Sequence, residues 1–261
     1  MLIHGFAEDS TVWDHQLKFL KDKFRLIIPD LPGSGTSELV DDMSMEGMAD
    51  VIKQILDNEL NQATSSDKDL HGGEGICMIG HSMGGYITLA FAERHPGYLK
   101  GFGLFHSSAY PDNDEKKEVR RKGIEFINQH GAFEFLKTSI PNLFSPLTRE
   151  KNPQLVRDHV TGASNFSGAA LVSYYESMMK RPNRTAVLEN AGIPVLFIIG
   201  EHDTAVPLND SLRQCSLPEN AYIHLLQYSG HMGMYEEVRK TNHILEEYLK
   251  DILCFTSTLT E

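Results

Sequence analysis

Short apolar runs separated by stretches of helical periodicity constrain the fold of this chain more than any other feature of its sequence. The runs are "FRLII" at 24–28, "ICMIG" at 76–80, "GFGLF" at 101–105, "PVLFIIG" at 194–200 and "YIHLLQ" at 222–227. Strands that are apolar on both faces are typical of a parallel sheet that helices cover on each side. The sequence therefore predicts an α/β fold with a mostly parallel, doubly wound sheet.

The alternation is interrupted once, between the apolar run that ends near Phe105 and the one that begins near Pro194. This interval contains helical patterns, such as "EKKEVRRKGIEFINQHG" and "AALVSYYESMMKRP", and no clear strand. We expect residues 1–109 and 186–261 to form one core and residues 110–185 to form a helical insertion over one edge of the sheet. Most aromatic residues of the insertion are expected to form its own core, and some to face a cleft.

Charge and composition disfavour several classes of partner. Lys and Arg number 24 against 36 Asp and Glu, for a formal charge of -12, and nucleic acid is disfavoured because its binding requires a basic surface. No apolar run approaches the roughly 18 to 20 residues of a membrane span, and the apolar opening is too short for a signal peptide. Cys77, Cys215 and Cys254 are odd in number and lack metal-site spacing, which is typical of reduced intracellular thiols. The expectation is a cytoplasmic protein without a membrane span or a metal.

The motif "GHSMGG" at 80–85 lies between an apolar run and the helical run "YITLAFAERHPG". Gly80 and Gly84 stand two residues before and after Ser82, where a strand-to-helix turn is too tight for side chains. Such a nucleophile elbow holds the serine hydroxyl above the sheet at a helix N-terminus. If Ser82 were only an N-cap, the two flanking glycines would have no explanation. Ser82 is therefore the candidate nucleophile.

A serine hydroxyl is a poor nucleophile near neutral pH and needs a base, together with an acid that orients the base. The segment "IIGEHDTAVP" puts Asp203 in the loop after one predicted strand, and "YSGHMGMYEE" puts His231 in the loop after the next. The alternatives are Glu201 and Asp210 for the acid, and His202, His224 and His243 for the base. His224 lies inside a strand and His243 on the last helix, whereas His202 stands where the loop of the acid begins. Position therefore favours Asp203 and His231.

Acyl transfer through a tetrahedral intermediate also needs backbone N–H donors for the developing oxyanion. The N–H of Met83, directly after the nucleophile, is one candidate. The second comes from the loop after an early strand, and "LIHGF" at 2–6 supplies it. We expect Gly5 to permit the close backbone approach and the Phe6 N–H to be the donor. His4 is interpreted as a structural hydrogen-bonding residue.

The motifs "HGF", "DLPGSG", "GHSMGG", "GEHDTAVP" and "SGHMGMYEE", in this order over nearly the whole chain, resemble an α/β-hydrolase fold protein. The resemblance is to the large esterase, lipase and acyl-hydrolase group with a helical cap. It implies that Ser82 is the nucleophile, His231 the general base and then acid, and Asp203 the orienting carboxylate. It further implies that Phe6 and Met83 are the oxyanion-hole donors and that no cofactor takes part. The chain departs from the family pattern at its start, where two strands that members usually carry are absent.

That departure leads to an expectation for the opening residues. Residues 1–3 are predicted to form a central strand between strands at 24–28 and 76–79, with Leu2 and Ile3 buried on both faces of the sheet. The strand at 24–28 would then be an exposed edge, which favours pairing with another chain. The sequence is therefore compatible with a homo-oligomer.

Together these features predict a serine hydrolase that cleaves a small carboxylic ester or related acyl substrate through an acyl-enzyme. A carbon-carbon bond hydrolase, a perhydrolase and an amidase stay open, because they share the fold and the triad. A ligand-binding sensor on a hydrolase fold is the alternative from another class, and the intact triad argues against it.

Overall fold

Helices cover both faces of a five-stranded parallel sheet in the computed structural model, which describes residues 1–62 and 75–254. Neighbouring strands follow the chain in the order β1-β2-β3-β4-β5, and every neighbouring pair is parallel. The strands are β1 (Leu2–Ile3), β2 (Ile76–His81), β3 (Leu99–Phe105), β4 (Val195–Gly200) and β5 (Ala221–Leu226). The predicted α/β fold with a parallel sheet is confirmed.

The connections between the strands are helical. The α-helices are α1 (Asp14–Leu20), α2 (Met45–Gln62), α3 (Met83–Arg94), α4 (Asp114–His130), α5 (Ala132–Ser139), α6 (Pro146–Lys151), α7 (Pro153–Gly162), α8 (Gly168–Lys180), α9 (Thr185–Glu189), α10 (Leu208–Gln214), α11 (Gly233–Glu236) and α12 (Val238–Cys254). Short 3₁₀ helices span Ser10–Trp13, Pro96–Tyr98, Ile140–Leu143 and Ala163–Asn165.

Two apolar cores lie on opposite faces of the sheet, and β1 contributes to both. Leu2 packs in the core that includes Leu20 of α1 and Leu245 of α12. Ile3 packs in the other core, which includes Ile52 of α2. Successive strand side chains point to opposite faces, so the predicted burial of these two residues on both faces of the sheet is confirmed.

The prediction of a strand at 24–28 is wrong. This segment has no regular secondary structure, although the N–H of Leu2 donates a hydrogen bond to the carbonyl oxygen of Ile27 at 3.0 Å. Among the described residues this is the one backbone hydrogen bond between the segment and β1, which is too few for a ladder. The prediction that residues 1–3 form a central strand is therefore wrong as well: within the described residues β1 is the end strand of the sheet and pairs with β2 alone.

Helices α4 to α9 lie between β3 and β4, and this interval contains no strand. Helices α4 to α8 fall within the predicted insertion at 110–185. An ion cluster links a residue before the start of α4 to the residue after the end of α8. Asp112 precedes α4, and its carboxylate accepts from Arg120 Nε at 2.5 Å and lies 2.9 Å from Arg181 Nη1, directly after α8. The helical character of the interval is as predicted, while its treatment as a separate unit at 110–185 stays a prediction.

Other predictions concern features that the fold itself does not decide. Cys77 and Cys215 are buried free thiols, and the side chain of Cys254 lies outside the described residues. Among the helices of the described residues, none is both long and apolar enough to cross a membrane. Residues 1–62 and 75–254 contain no group of three or more His, Cys, Asp or Glu side chains arranged to hold a metal ion. Location, self-association and independence of cofactors stay predictions.

Candidate active site

The turn between β2 and α3 holds Ser82 in a strained backbone conformation. Its φ of 50° and ψ of -116° lie outside the regions that residues other than glycine usually adopt. A Cβ atom at Gly80 would collide with the carbonyl oxygen of Gly84. One at Gly84 would lie 2.5 Å from the carbonyl oxygens of Ile3 and His4. Close backbone packing therefore requires both glycines, as the motif predicts.

The Ser82 side chain takes no part in capping the helix that it precedes, which contradicts the interpretation of this serine as only an N-cap. The turn is instead fixed to the end of β3. The Ser82 N–H donates to the carbonyl oxygen of Phe105 at 2.9 Å, and the Ser107 hydroxyl donates to the carbonyl oxygen of Ser82 at 2.7 Å. The Ser82 side chain is partly exposed. The backbone thus holds a strained serine at the carboxyl edge of the sheet.

The loop after β4 buries Asp203 and satisfies both of its carboxylate oxygens. Oδ1 accepts hydrogen bonds from the N–H groups of Ala205 (2.8 Å) and Val206 (2.9 Å), and Oδ2 accepts one from His231 Nδ1 (2.7 Å). Burial alone would raise the pKa of this carboxyl, but the adjacent His231 and the hydrogen bonds outweigh burial and hold the pKa below its usual range. Asp203 is therefore an ionised acceptor aimed at His231.

His231 is buried in the loop between β5 and α11. Because its Nδ1 faces the Asp203 carboxylate, Nδ1 carries a proton, and in the neutral form of the ring the lone pair is on Nε2. Its backbone is held on both sides: the N–H donates to the carbonyl oxygen of Leu143 at 2.7 Å, and the carbonyl oxygen accepts from His81 Nε2 at 2.9 Å. The ring has the tautomer that a general base requires.

The structure brings Asp203 and His231 into direct contact but shows no hydrogen bond between the Ser82 hydroxyl and His231. In enzymes without substrate, this contact is often long and tightens when the substrate binds. Among the alternatives, Glu201, His202 and His243 are exposed and His224 lies within β5, while Asp210 lies in the first turn of α10. In the described parts of the chain, Asp203 is the carboxylate that hydrogen-bonds to His231.

The loop after β1 passes close to the nucleophile turn. A Cβ atom at Gly5 would lie 3.1 Å from the Cβ atom of Ser82, so glycine allows the approach. The Phe6 ring stacks on Tyr175 of α8, with ring centroids 4.4 Å apart and planes inclined by 7°. Met83 is the first residue of α3, and the first N–H groups of a helix have no intrahelical acceptor. Phe6 and Met83 therefore stand on the two segments that meet at Ser82.

His4, next to this loop, stabilises the fold. Its Nδ1 donates to the carbonyl oxygen of Gly5 at 2.9 Å, and its Nε2 accepts from the Leu31 N–H at 2.9 Å. Burial lowers the pKa of His4, in keeping with a neutral ring. Because both ring nitrogens are occupied, the structure agrees with the structural interpretation of His4.

Sequence reasoning missed three buried or half-buried residues around these groups, namely Glu8, His81 and His106. His106 directly follows β3 with a φ of 50°. Its Nε2 accepts from the Gly233 N–H at 3.1 Å, while its Nδ1 lies 3.5 Å from Asp203 Oδ2. Burial holds the pKa of His106 well below its usual value, so the ring is neutral and its protonated Nδ1 faces the acid. Its place at a strand end, like that of Asp203, is the signal that could have identified it.

Comparisons with known proteins agree with this architecture. The family described as "Alpha/beta hydrolase family" matches residues 1–242. Among curated proteins, "Putative carbamate hydrolase RutD" of Agrobacterium fabrum is 27% identical over 237 residues, which cover 88% of this chain and 85% of the relative. Monoacylglycerol lipase ABHD6 of Bos taurus is 22% identical over 266 residues, covering 97% of this chain and 75% of the relative.

The solved structures include a thermophilic esterase from Thermogutta terrifontis, determined with malate bound. It superimposes with a TM-score of 0.86 at 28% sequence identity, and the match covers 97% of this chain and 89% of the esterase. The similarity therefore extends over the sheet, the helices between β3 and β4, and the loops that carry the candidate residues.

Proposed function

Because this chain belongs to the alpha/beta hydrolase family, we propose that it is a serine hydrolase that cleaves a small carboxylic ester or a related acyl compound through an acyl-enzyme. Its relatives include proteins described as a carbamate hydrolase, a monoacylglycerol lipase and an esterase. All three names denote hydrolysis at an acyl or carbamoyl carbon, so the reaction class is better supported than any one substrate.

The observation that carries the proposal is the 2.7 Å hydrogen bond between His231 Nδ1 and Asp203 Oδ2, at the same sheet edge as the strained turn of Ser82. The carboxyl ends of parallel strands lie at one edge of the sheet, so residues that follow β2, β4 and β5 share that edge, which supports grouping Ser82, Asp203 and His231 in one site. The chain order of serine, aspartate and histidine is also the order of this family.

In the proposed acylation step, Ser82 Oγ attacks the carbonyl carbon of the substrate while His231 Nε2 accepts the hydroxyl proton. The oxyanion accepts hydrogen bonds from the N–H groups of Phe6 and Met83, and one such donor typically contributes about 100- to 1000-fold in rate. Asp203 stabilises the resulting imidazolium. His231 then gives its proton to the leaving group as the bond to that group breaks.

In the deacylation step, His231 Nε2 accepts a proton from water as the water oxygen attacks the acyl carbon. Collapse of the second tetrahedral intermediate breaks the bond to Ser82 Oγ and releases the carboxylic acid. His231 returns the proton to the serine, so the enzyme is regenerated without any cofactor.

The helices between β3 and β4 are proposed to cap this site. Phe6 stacks on Tyr175 of α8 and makes edge contacts with Phe135 and Tyr174 at centroid distances of 6.5 Å and 6.3 Å. The carbonyl oxygen of Leu143 also accepts from the His231 N–H. The cap therefore contacts both the oxyanion loop and the loop of the base. Its aromatic side favours substrates with a modest acyl or aromatic group.

A panel of substrates tests the proposal. It comprises p-nitrophenyl esters of increasing chain length, a monoacylglycerol, an aryl carbamate, a vinylogous diketone and an ester with added peroxide. Turnover of the p-nitrophenyl esters at many per second supports an esterase. Faster turnover of another substrate in the panel would assign the reaction of that substrate instead. Single-turnover labelling without release would support the sensor.

A fluorophosphonate probe and two variants identify the nucleophile. Ser82→Ala is expected to lose nearly all turnover and all labelling while it still folds and binds substrate, because it removes one partly exposed hydroxyl. The control is Ser216→Ala, which removes an exposed hydroxyl that donates only to the Arg213 carbonyl oxygen. Labelling at another residue, or strong turnover by Ser82→Ala, would show the assignment to be wrong.

A further inference from the structure

A buried ion pair that the proposed mechanism does not use lies beside the nucleophile. Glu8 Oε2 accepts hydrogen bonds from the Gly5 N–H at 2.6 Å and from His81 Nδ1 at 2.9 Å. The side chain of His81 is fully buried and that of Glu8 is 10% exposed. Glu8 and His81 are 73 positions apart in the chain, so only the tertiary fold brings them together.

The partners of His81 require a proton on each ring nitrogen. Its Nε2 lies 2.9 Å from the carbonyl oxygen of His231, and a carbonyl can only accept. Its Nδ1 faces the Glu8 carboxylate oxygen that already accepts from Gly5. Glu8 is ionised because its pKa lies below the usual value, and beside a carboxylate that only accepts, a neutral imidazole with one N–H would leave one of these contacts without a proton. The geometry therefore indicates an imidazolium between two acceptors.

Three segments of the site meet at this imidazolium. The hydrogen bond from the Gly5 N–H to Glu8 holds the loop that presents Phe6. The hydrogen bond from His81 Nε2 to the His231 carbonyl oxygen holds the loop that presents the His231 ring. His81 itself directly precedes Ser82. A Cβ atom at Gly5 would lie 3.0 Å from both Glu8 Oε2 and His81 Nδ1, so the three groups are packed closely.

We propose that Glu8 and His81 form a positioning pair that holds the oxyanion loop and the loop of the general base around Ser82, and that it does so only while His81 carries both ring protons. This inference rests on the proposed hydrolase function. Neither residue touches the reacting atoms. Both act through the placement of Phe6 and His231.

The electrostatics of the pair agree with the geometry. Burial alone would lower the pKa of His81, but the Glu8 carboxylate and its hydrogen bond outweigh burial and hold this pKa above its usual value. Burial likewise opposes ionisation of Glu8, and the charge on His81 keeps the pKa of Glu8 below its usual value. Both shifts of pKa therefore favour the ionised form of the pair.

Other titratable groups also face the pair. The rings of His231 and His106 lie 4.9 Å and 6.0 Å from the His81 ring, and Asp203 adds a favourable charge to His81. His4 and Tyr235 interact with Glu8. His106 is neutral and adds no charge, and the carboxylates of Glu8 and Asp203 both raise the pKa of His81. They favour the imidazolium until the pH rises above the raised pKa of His81.

The test compares Glu8→Gln with the wild type. The glutamine keeps an oxygen for the Gly5 N–H but removes the charge that holds the second proton on His81. We expect kcat to fall by about tenfold or more with KM within about twofold, because the oxyanion donors act in the transition state. The matched control is His95→Gln, which breaks the His95–Asp50 pair at the far end of α3 and should leave both constants unchanged.

Profiles of kcat against pH, together with ¹⁵N spectra of the histidine rings, distinguish positioning from mere stabilisation. In the wild type, kcat should fall on the alkaline side at the pH at which the His81 ring loses a proton. In Glu8→Gln, the alkaline midpoint of the kcat profile and the midpoint of the His81 ring titration should move together to lower pH. If Glu8→Gln does not fold, coincidence of the two midpoints in the wild type still decides the question.

A singly protonated His81 at neutral pH in the wild type, or an alkaline midpoint that does not follow His81, would overturn the inference. So would a Glu8→Gln variant that loses stability but keeps the wild-type kcat. Failure of the proposed function is separate, since it would appear as an unlabelled Ser82 and no turnover by the wild type, whatever state the His81 spectrum reports.

Discussion

Oδ2 of Asp203 lies 2.7 Å from Nδ1 of His231 although the two residues are 28 positions apart. This contact joins the ends of β4 and β5 and sets the tautomer of the imidazole. Two backbone N–H groups occupy the other carboxylate oxygen, so the carboxylate cannot rotate away without losing three hydrogen bonds. The loop after β4 thus fixes the orientation of the His231 ring.

Asp203→Asn is therefore expected to reduce kcat by on the order of 10³- to 10⁴-fold, because an amide can donate to Nδ1 and stabilise the wrong tautomer of His231. Steady-state hydrolysis of a p-nitrophenyl ester measures this loss. The control is Glu201→Gln, an exposed carboxylate in the same loop, which should stay within about twofold of the wild type. The reverse ranking would identify Glu201 as the acid.

Gly84→Ala should disrupt the turn that carries Ser82. The added Cβ atom would lie 2.5 Å from the carbonyl oxygens of Ile3 in β1 and of His4 directly after it, so the turn or β1 must move. We expect a loss of about 1–3 kcal/mol in the free energy of unfolding and about 100-fold in kcat. Gly97→Ala is the control, because nothing lies within 4 Å of its Cβ position. Equal behaviour of the two variants would argue against a packed turn.

Ile3→Ala should destabilise the protein although β1 is short. The side chain is fully buried in the core on one face of the sheet, so its truncation should lower the free energy of unfolding by about 2–5 kcal/mol. Chemical denaturation measures this change. Leu17→Ala truncates a side chain on α1 that is 39% exposed, and it should cost less than about 0.5 kcal/mol. Similar losses would mean that β1 is not part of the core.

Asp112→Asn should weaken the ion cluster that joins the start of α4 to the end of α8, and this effect should depend on pH. Burial opposes ionisation of Asp112, but Arg120 and Arg181 outweigh burial and hold its pKa below the usual range. Removing one partner of a buried ion pair costs about 3–5 kcal/mol. Because the pKa is depressed in the folded state, this stabilisation is complete above about pH 4. This stabilisation disappears as the pH falls through the pKa of Asp112 in the folded state.

Denaturation at pH 7 and pH 3 therefore should show a large difference between the wild type and Asp112→Asn at pH 7 and a smaller one at pH 3. Glu118→Gln, which breaks an exposed pair with Arg121 on the same helix, serves as the control and should have little effect at either pH. If the stability difference between the wild type and Asp112→Asn grew toward acid pH, the pKa of Asp112 would be raised in the folded state and the assigned direction would be wrong.

The sequence by itself determined the features that depend on local chemistry. Gly80 and Gly84 around Ser82 predict a tight turn, because the restriction acts within five residues of the chain. The apolar runs that became β2 to β5 were identifiable for the same reason, since hydrophobic residues on both faces of a strand leave a direct pattern. The strand-end positions of Asp203 and His231 followed from that pattern.

Only the tertiary structure decided what depends on contacts between distant segments. The segment at 24–28 has the composition of a strand, yet a strand also needs a continuous backbone ladder, and one backbone hydrogen bond joins this segment to β1. Glu8 and His81 carry no local sign of their pairing, because a carboxylate and an imidazole form a buried ion pair only when the fold removes both from water. The strand-end position of His106 can be read from the sequence, but its neutral state beside Asp203 cannot, because its protonation depends on the atoms packed around it.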